Sequence, residues 1–261
     1  MPTVKQHVEN MTKLIERVGY YSPREVMADF VEMGAIAVSN AVDRRKFSER
    51  EAKYLKLIAK YKREHQFIFR QLLNELTEAQ SVEPGDILGQ LYMQIGAANA
   101  DSGQFFTPPC ISSLVSRLCV DEDNMREQIE KRGFVTLNEP TAGAGAMVIS
   151  FAFEMLRLGF NFQNCLHCTL VDVDHRAALM SYLQLSILHI PAVVVHGNTL
   201  TMEVYSHWFT PAHVLNGFTQ RLKRQGEPER QGRADLAWPV GSSALPDAER
   251  SMAFPHQPSL F

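Results

Sequence analysis

The run Phe134-Val-Thr-Leu-Asn-Glu-Pro-Thr-Ala-Gly-Ala-Gly-Ala-Met-Val-Ile149 constrains the fold more than any other stretch of the chain. A short apolar segment closed by an acid, then a turn carrying two glycines, then a pattern that continues as helix, is the grammar of a strand feeding a sharp loop and a helix N-terminus. Gly143 and Gly145 let the loop backbone approach a ligand closely, and the unpaired amides of a helix start favour an electronegative group. Glu139, at the end of the strand, can then receive a cationic or hydroxyl-bearing part of that ligand. The same succession also serves purely structural crossovers, so the flanking segments decide the reading.

Downstream, Thr169-Leu-Val-Asp-Val173 reads as a buried strand, followed by a helix through Ala177, Leu179, Met180, Leu183, Leu185, Ile187 and Leu188 that is apolar over more than one face. Asp172 ends that strand, where a carboxylate can accept hydrogen bonds from both hydroxyls of a ribose; a surface helix cap is the alternative for Asp172 and for Asp174. Ala192-Val-Val-Val195 is a third strand, leading into His196-Gly-Asn-Thr-Leu200. This alternation predicts an α/β core with a parallel sheet, helices on both faces and a ligand site at the carboxyl ends of the strands. Upstream, Thr107-Pro108-Pro109 forces an extended backbone and then a helix through Ile111, Leu114, Val115 and Leu118. Thr107 therefore stands at a loop-to-helix junction, able to hold a carboxylate or simply to cap the helix.

Residues 1–100 read as helical throughout. Val4, Val8, Met11, Leu14, Ile15 and Val18 share one stripe, and Ser22-Pro23 opens a long helix as N-cap and first-turn proline. Ser48-Glu-Arg-Glu51 has the form of a capping box, and further helices are expected from Gln66 to about Leu76 and, after Pro84-Gly85, from Asp86 to about Ala97. Positive charge crowds Arg44, Arg45, Lys46, Arg50, Lys53, Lys56, Lys60, Lys62 and Arg63, as a solvated basic face or as a contact for phosphates.

Bulk properties narrow the classes. With 261 residues, 45% hydrophobic and 21% charged, the chain can bury a substantial core; its net charge of −3 gives no global pull toward nucleic acid. Cys165-Leu-His-Cys168 has a zinc-like spacing, but Cys110 and Cys119 supply no second close pair, so free buried thiols in a reducing cytoplasm are expected and no metal site. No signal-like or membrane-spanning apolar run occurs, which points to a cytoplasmic protein without a membrane partner.

Gly103-Gln-Phe-Phe-Thr-Pro108, then Glu139-Pro-Thr-Ala-Gly-Ala-Gly145, then an acid ending the next strand, resembles the S-adenosylmethionine-binding half of N6-adenine DNA methyltransferases, closest to the modification subunits of type I restriction systems. The resemblance covers roughly Pro84 to Leu200. It implies a Rossmann-like methyltransferase core after a helical N-terminal region, with S-adenosyl-L-methionine as cofactor. It also implies cofactor-binding roles for Phe105, Phe106, Thr107, Glu139, Thr141, Gly143 and Gly145, with Asp172 on the ribose and Asp174 near the adenine edge. Asn198 replaces the acid that touches the adenine amino group in that family; it can still accept through its amide oxygen.

The family also carries an Asn or Asp, two prolines and an aromatic that hold a flipped adenine. Here Val214-Leu-Asn216 resembles a strand ending with its amide, and Phe218 stands for the aromatic, but both prolines are missing and Gly217 frees the backbone they would fix. Three units follow: a helical region 1–100, a cofactor-binding core 101–218, and a tail 219–261 without sustained periodicity, read as irregular or disordered. Two functions fit. One is an adenine-specific DNA methyltransferase in which Asn216 and Phe218 are catalytic. The other is a catalytically inactive cofactor-binding accessory protein. The partners implied are DNA, through local basic patches, and restriction-modification subunits or a second copy.

Overall fold

A computed structural model of the chain describes residues 2–96 and 107–229. Helix α1 (Val4–Glu16) starts at Thr3, whose side chain accepts from the Gln6 amide while Gln6 reaches back, and it buries Val8, Met11, Leu14 and Ile15. Helix α2 (Pro23–Val42) opens on the Ser22 cap with Pro23 in its first turn, as the sequence predicts.

The next helix departs from expectation. Ser48 is not its cap: Asp43 accepts from the Arg45 amide at a short 3-10 turn, Arg44–Lys46, which runs into α3 (Phe47–Ala59). Glu51 accepts from the Asn40 side-chain amide at 2.9 Å instead of closing a capping box. The reason is tertiary. Buried Arg50 donates to Ser39, to Asp43 at 3.2 Å and to the His207 carbonyl at 3.1 Å, and its guanidinium lies 4.0 Å from the Trp208 ring centre. That set of contacts fixes α3 better than a local cap could, and it ties the helical region to the sheet. Helix α4 (Arg63–Val82) extends beyond its expected ends, and α5 (Ile87–Gln94) begins at its Asp86 cap.

Helix α6 (Pro109–Cys119) is followed by α7 (Glu122–Arg132), which Asp121 caps and Gly133 ends at φ 81°. Then come β1 (Val135–Glu139), α8 (Ala146–Arg157), α9 (Phe162–Cys165), β2 (Leu166–Asp172), α10 (His175–Ile187), β3 (Ala192–Asn198), β4 (Glu203–Phe209), α11 (Pro211–Leu215) and α12 (Phe218–Glu229). The sheet order is β1-β2-β3-β4; the first three strands are parallel, with Glu139 opposite Leu170 and Asp172 opposite His196, whereas β4 runs antiparallel to β3. The expected parallel sheet therefore holds for three strands and gains a reversed fourth. Val214-Leu-Asn216 does not end a strand: Thr210 caps and Pro211 starts a short helix there.

One face of the sheet carries the main core. Leu166, Cys168, Leu170, Ala192, Val194 and Trp208 lie in one apolar cluster with α8 and α10, and α2 packs on the far side of α10. This sandwich explains why α10 is apolar nearly all round. Gly34 of α2 permits the close approach, since a Cβ there would meet Leu183 at 3.0 Å. On the other face Val171, Val193 and Val195 form a smaller cluster with Val204 and Phe209. Helix α12 reaches the foot of that face, so residues 218–229 are helical rather than irregular, while 230–261 lie outside the described residues. The result is a Rossmann-like α/β core preceded by a helical region.

The amino ends of β1 and β2 are sealed by a buried aromatic knot. Phe218 packs edge-on against Phe134 with centroids 5.2 Å apart and lies 5.1 Å from His167. His167 and His213 share a hydrogen bond of 2.9 Å, and the other nitrogen of His213 bonds the Thr219 hydroxyl, also at 2.9 Å. Burial drives both imidazoles down, His167 to about 3 and His213 to about 4, and the Arg221 guanidinium adds to the effect on His167. Because the folded values lie below the unfolded value, unfolding takes up protons: the stabilisation is complete above about pH 6.5 and is lost as pH falls to about 4 for His213 and about 3 for His167. Denaturant titrations between pH 7 and pH 4.5 are expected to show stability falling by on the order of 1 kcal/mol per pH unit for each ring. His213→Gln, which cannot titrate, should flatten the slope.

Candidate functional site

The carboxyl ends of β1, β2 and β3 meet in a polar rim. At the end of β1, Glu139 accepts from the Thr141 amide at 3.1 Å and from its hydroxyl at 3.3 Å. The glycine loop then docks on the end of β2: the Ala142 amide bonds the Val171 carbonyl at 2.9 Å, and the Gly143 amide bonds Asp172 Oδ2 at 2.7 Å. Gly143 and Gly145 take φ of 53° and 93°, the left-handed region that glycine alone enters without strain. Gly145 also lacks the Cβ that would stand 3.2 Å from Ser181 Cβ on α10.

The loop delivers the start of α8, whose cap residue Gly145 has no side chain to satisfy the first amides. The amides of Ala144, Ala146, Met147 and Val148 have no acceptor among the described residues. Together with the helix dipole they make a place for an anionic or carbonyl-like group.

Asp172 is half-buried and accepts from two amides, Gly143 on one oxygen and Asp174 on the other at 2.8 Å. Burial raises its pKa, the neighbouring Asp174 carboxylate adds to the rise, and the amide bonds oppose it. Asp174 caps α10 by accepting from the Arg176 amide at 2.8 Å. The oxygen of Asn198 is engaged by its own turn, accepting from the Leu200 amide at 2.9 Å and the Thr201 amide at 3.3 Å. Both neighbours are donors, which fixes the orientation of the side-chain amide. The expectation that this oxygen faces a ligand is thus corrected; the NH2 group is what remains.

The Thr199 hydroxyl donates to the Pro140 carbonyl at 2.6 Å, strapping the loop after β3 to the loop after β1 across the end of β2. On the same rim two aliphatic side chains stand in the open, Val173 at 61% and Leu200 at 95% exposure. Sequence reading missed both, because only their exposure separates them from core residues.

Thr107 is half-buried just ahead of α6, and no side chain caps that helix, so the simple cap reading of Thr107 is not realised. Phe105 and Phe106 lie outside the described residues. Helix α6 packs along α8, the helix that leaves the glycine loop.

Asn216 and Phe218 are not brought to the rim. The Asn216 amide donates to the Gln163 carbonyl at 2.7 Å, and Phe218 is 0% exposed within the aromatic knot at the amino ends of the strands. From His167 to Asp172 is five residues of β2, about 16 Å at strand spacing. Their catalytic assignment is therefore overturned: β4 reverses the chain and deposits both residues at the far end of the sheet.

Several of the basic residues are neutralised by acids: Lys46 with Glu49, Lys53 with Glu32, Lys60 with Asp29, and both Arg45 and Arg50 with Asp43. The four cysteines are free; Cys165 and Cys168 are buried, whereas Cys110 is exposed and Cys119 partly so. Among the described residues no cluster of His, Cys, Asp or Glu is disposed to hold a metal ion, and no helix is long and apolar enough to cross a membrane.

No family model matches the chain, and no curated protein matches it. Among solved structures, a crystal structure of a Listeria monocytogenes protein provisionally described as a class I S-adenosylmethionine-dependent methyltransferase is similar, with a TM-score of 0.44 and 13% identity over 84% of this chain and 68% of that one.

The two ends of the sheet should separate in experiment. Phe218→Ala empties a fully buried site and is expected to lower unfolding free energy by about 3–5 kcal/mol, read by denaturant titration. Asn216→Ala removes one exposed hydrogen bond and should cost about 1 kcal/mol or less.

Proposed function

We propose that the rim binds S-adenosyl-L-methionine and that the chain is a cofactor-binding relative of the N6-adenine methyltransferases. The observation that carries this reading is the joining of the glycine loop to the acid at the end of the next parallel strand, Gly143 to Asp172 at 2.7 Å, beside unengaged amides at the start of α8. The residues present fit the cofactor's parts. The free amides of α8 suit a carboxylate, Asp172 suits a pair of ribose hydroxyls, and Val173 and Leu200 offer aliphatic surfaces for a purine. The NH2 of Asn198 can donate to a ring nitrogen, and Glu139 places negative charge where a sulfonium would be favoured.

Bound there, the cofactor supplies an electrophilic methyl group on sulfur. The chain's own contribution is positioning, the larger part of catalysis for an in-line transfer. The finer reading, transfer to the exocyclic amino group of adenine in DNA, rests on the resemblance of the three motifs. Arg44, Lys56, Lys62 and Arg63, which form no ion pair among the described residues, are the candidates for phosphate contact. A second reading, cofactor binding without transfer by this chain alone, is favoured by one observation: the amide and aromatic that should hold the base are anchored at the opposite end of the sheet. A restriction-modification subunit or a second copy would then complete the site.

Calorimetric titration of the full chain with S-adenosylmethionine and S-adenosylhomocysteine tests the binding. Saturable heat is expected with both, and Asp172→Ala should weaken affinity by about 1–3 kcal/mol, roughly fivefold to 150-fold. No heat with either ligand, or an unchanged affinity in the variant, rejects the site. A labelled-methyl assay on adenine-containing DNA then separates the two readings, and binding without label transfer supports the second.

A further inference from the structure

Gln184 lies in the last turn of α10, completely buried between Leu183 and Leu185, where an apolar residue would pack as well. Every hydrogen-bonding position of its amide is used. Its nitrogen donates to the Ala144 carbonyl at 2.7 Å and to Asp86 Oδ1 at 3.0 Å; its oxygen accepts from the Leu88 amide at 3.0 Å and from Gln80 at 3.2 Å. Asp86 is itself buried, caps α5 by accepting from the Gly89 amide at 2.7 Å, and has no basic partner among the described residues. Gly89 is demanded by that carboxylate, because a Cβ there would lie 2.0 Å from Asp86 Oδ2.

Ala144 is the residue between the two left-handed glycines, in the loop that frames the rim. The peptide plane that carries its carbonyl also carries the Gly145 amide, which is bonded to the Ala142 carbonyl at 2.8 Å. Gln184 therefore clamps the second side of that plane, and the Gly145 carbonyl beyond it accepts the first bond of α8 from Ile149 at 3.0 Å. Three separate elements, α4, α5 and α10, thus meet at Gln184, and it alone holds the loop carbonyl.

We infer that Gln184, braced by Asp86, is a positioning residue through which the helical N-terminal region sets the Gly143–Gly145 loop for its ligand; this rests on the reading of the rim as a cofactor site. A buried amide saturated by hydrogen bonds adds little net stability over an apolar residue of the same shape, but it fixes orientation. The fold thus commits a polar core to the loop's direction. It also makes the helical region a component of the ligand site without contact to the ligand.

The test compares Gln184→Met with Gln80→Met in the full chain. Gln80 hydrogen-bonds Gln184 and Gly85 but neither the Asp86 side chain nor the loop, so it controls for loss of network stability. Gln184→Met is expected to weaken S-adenosylhomocysteine binding tenfold or more in calorimetry, and to speed amide hydrogen exchange at residues 143–148 of the unliganded protein tenfold or more. Gln80→Met should lower the thermal midpoint comparably while leaving affinity and loop exchange within threefold of the parent. Asp86→Asn, which keeps the Oδ1 acceptor, should stay within threefold in both. Unchanged affinity and exchange in Gln184→Met, or equal losses in Gln80→Met, overturn the inference. If the parent chain binds no S-adenosylhomocysteine, the functional reading falls, and loop exchange alone decides: acceleration confined to 143–148 upholds the clamp and its absence rejects it. Should Gln184→Met fail to fold by circular dichroism, Asp86→Ala, which removes the brace, takes its place in both measurements: tenfold losses uphold the inference and unchanged values overturn it.

Discussion

The bond between the Gly143 amide and Asp172 holds the rim together. A carboxylate taken partly out of water needs donors, and a loop forced through left-handed backbone needs anchors; each supplies what the other lacks. Around this bond the loop is fastened at further points: Ala142 to the end of β2, Ala144 to Gln184, and Pro140 to Thr199. With its inner hydrogen bonds engaged in this way, the loop has only its outward amides left to offer. A ligand site made of unsatisfied backbone is stable only when the surrounding backbone is over-satisfied, and the left-handed φ values at Gly143 and Gly145 are tolerable for the same reason.

The parts of this arrangement that were legible in the sequence are those set by local chemistry. The strand, glycine turn and helix around residue 143 follow from a few adjacent residues, as does the Ser22-Pro23 helix start. The capping box at Ser48 failed because Arg50 and Asp43 made a stronger non-local set of contacts, which no spacing rule sees. Helix α7 escaped because it buries only Met125 fully and so has no apolar stripe; its caps, Asp121 and Gly133, were the signal available. Strand β4 was obscured by a bulge: Tyr205 is the extra residue between the His196–Ser206 and Gly197–Val204 pairs, and it breaks the alternation a strand would otherwise show. The role of Gln184 was invisible in principle, since its partners come from residues 80, 86, 88 and 144.

The assignment of Asn216 and Phe218 went wrong for a reason of topology rather than chemistry. A run such as Val214-Leu215-Asn216 is too short for periodicity to tell strand from helix, and Thr210-Pro211 ahead of it is a helix start. More important is the direction of the strand before it. A parallel strand would have released the chain at the carboxyl rim, beside Asp172 and Asn198. Because β4 runs the other way, its last residue, Phe209, pairs with Val193 near the beginning of β3, and everything that follows emerges at the amino ends. There the chemistry serves closure: His213, Phe218 and Arg221 bury the starts of β1 and β2, and Arg221 directs its donors to the Gly133 and Asn164 carbonyls. A single strand reversal thus sets the sealed amino end of the sheet opposite the carboxyl end, where the glycine loop, Asp172 and the unengaged amides of α8 stand.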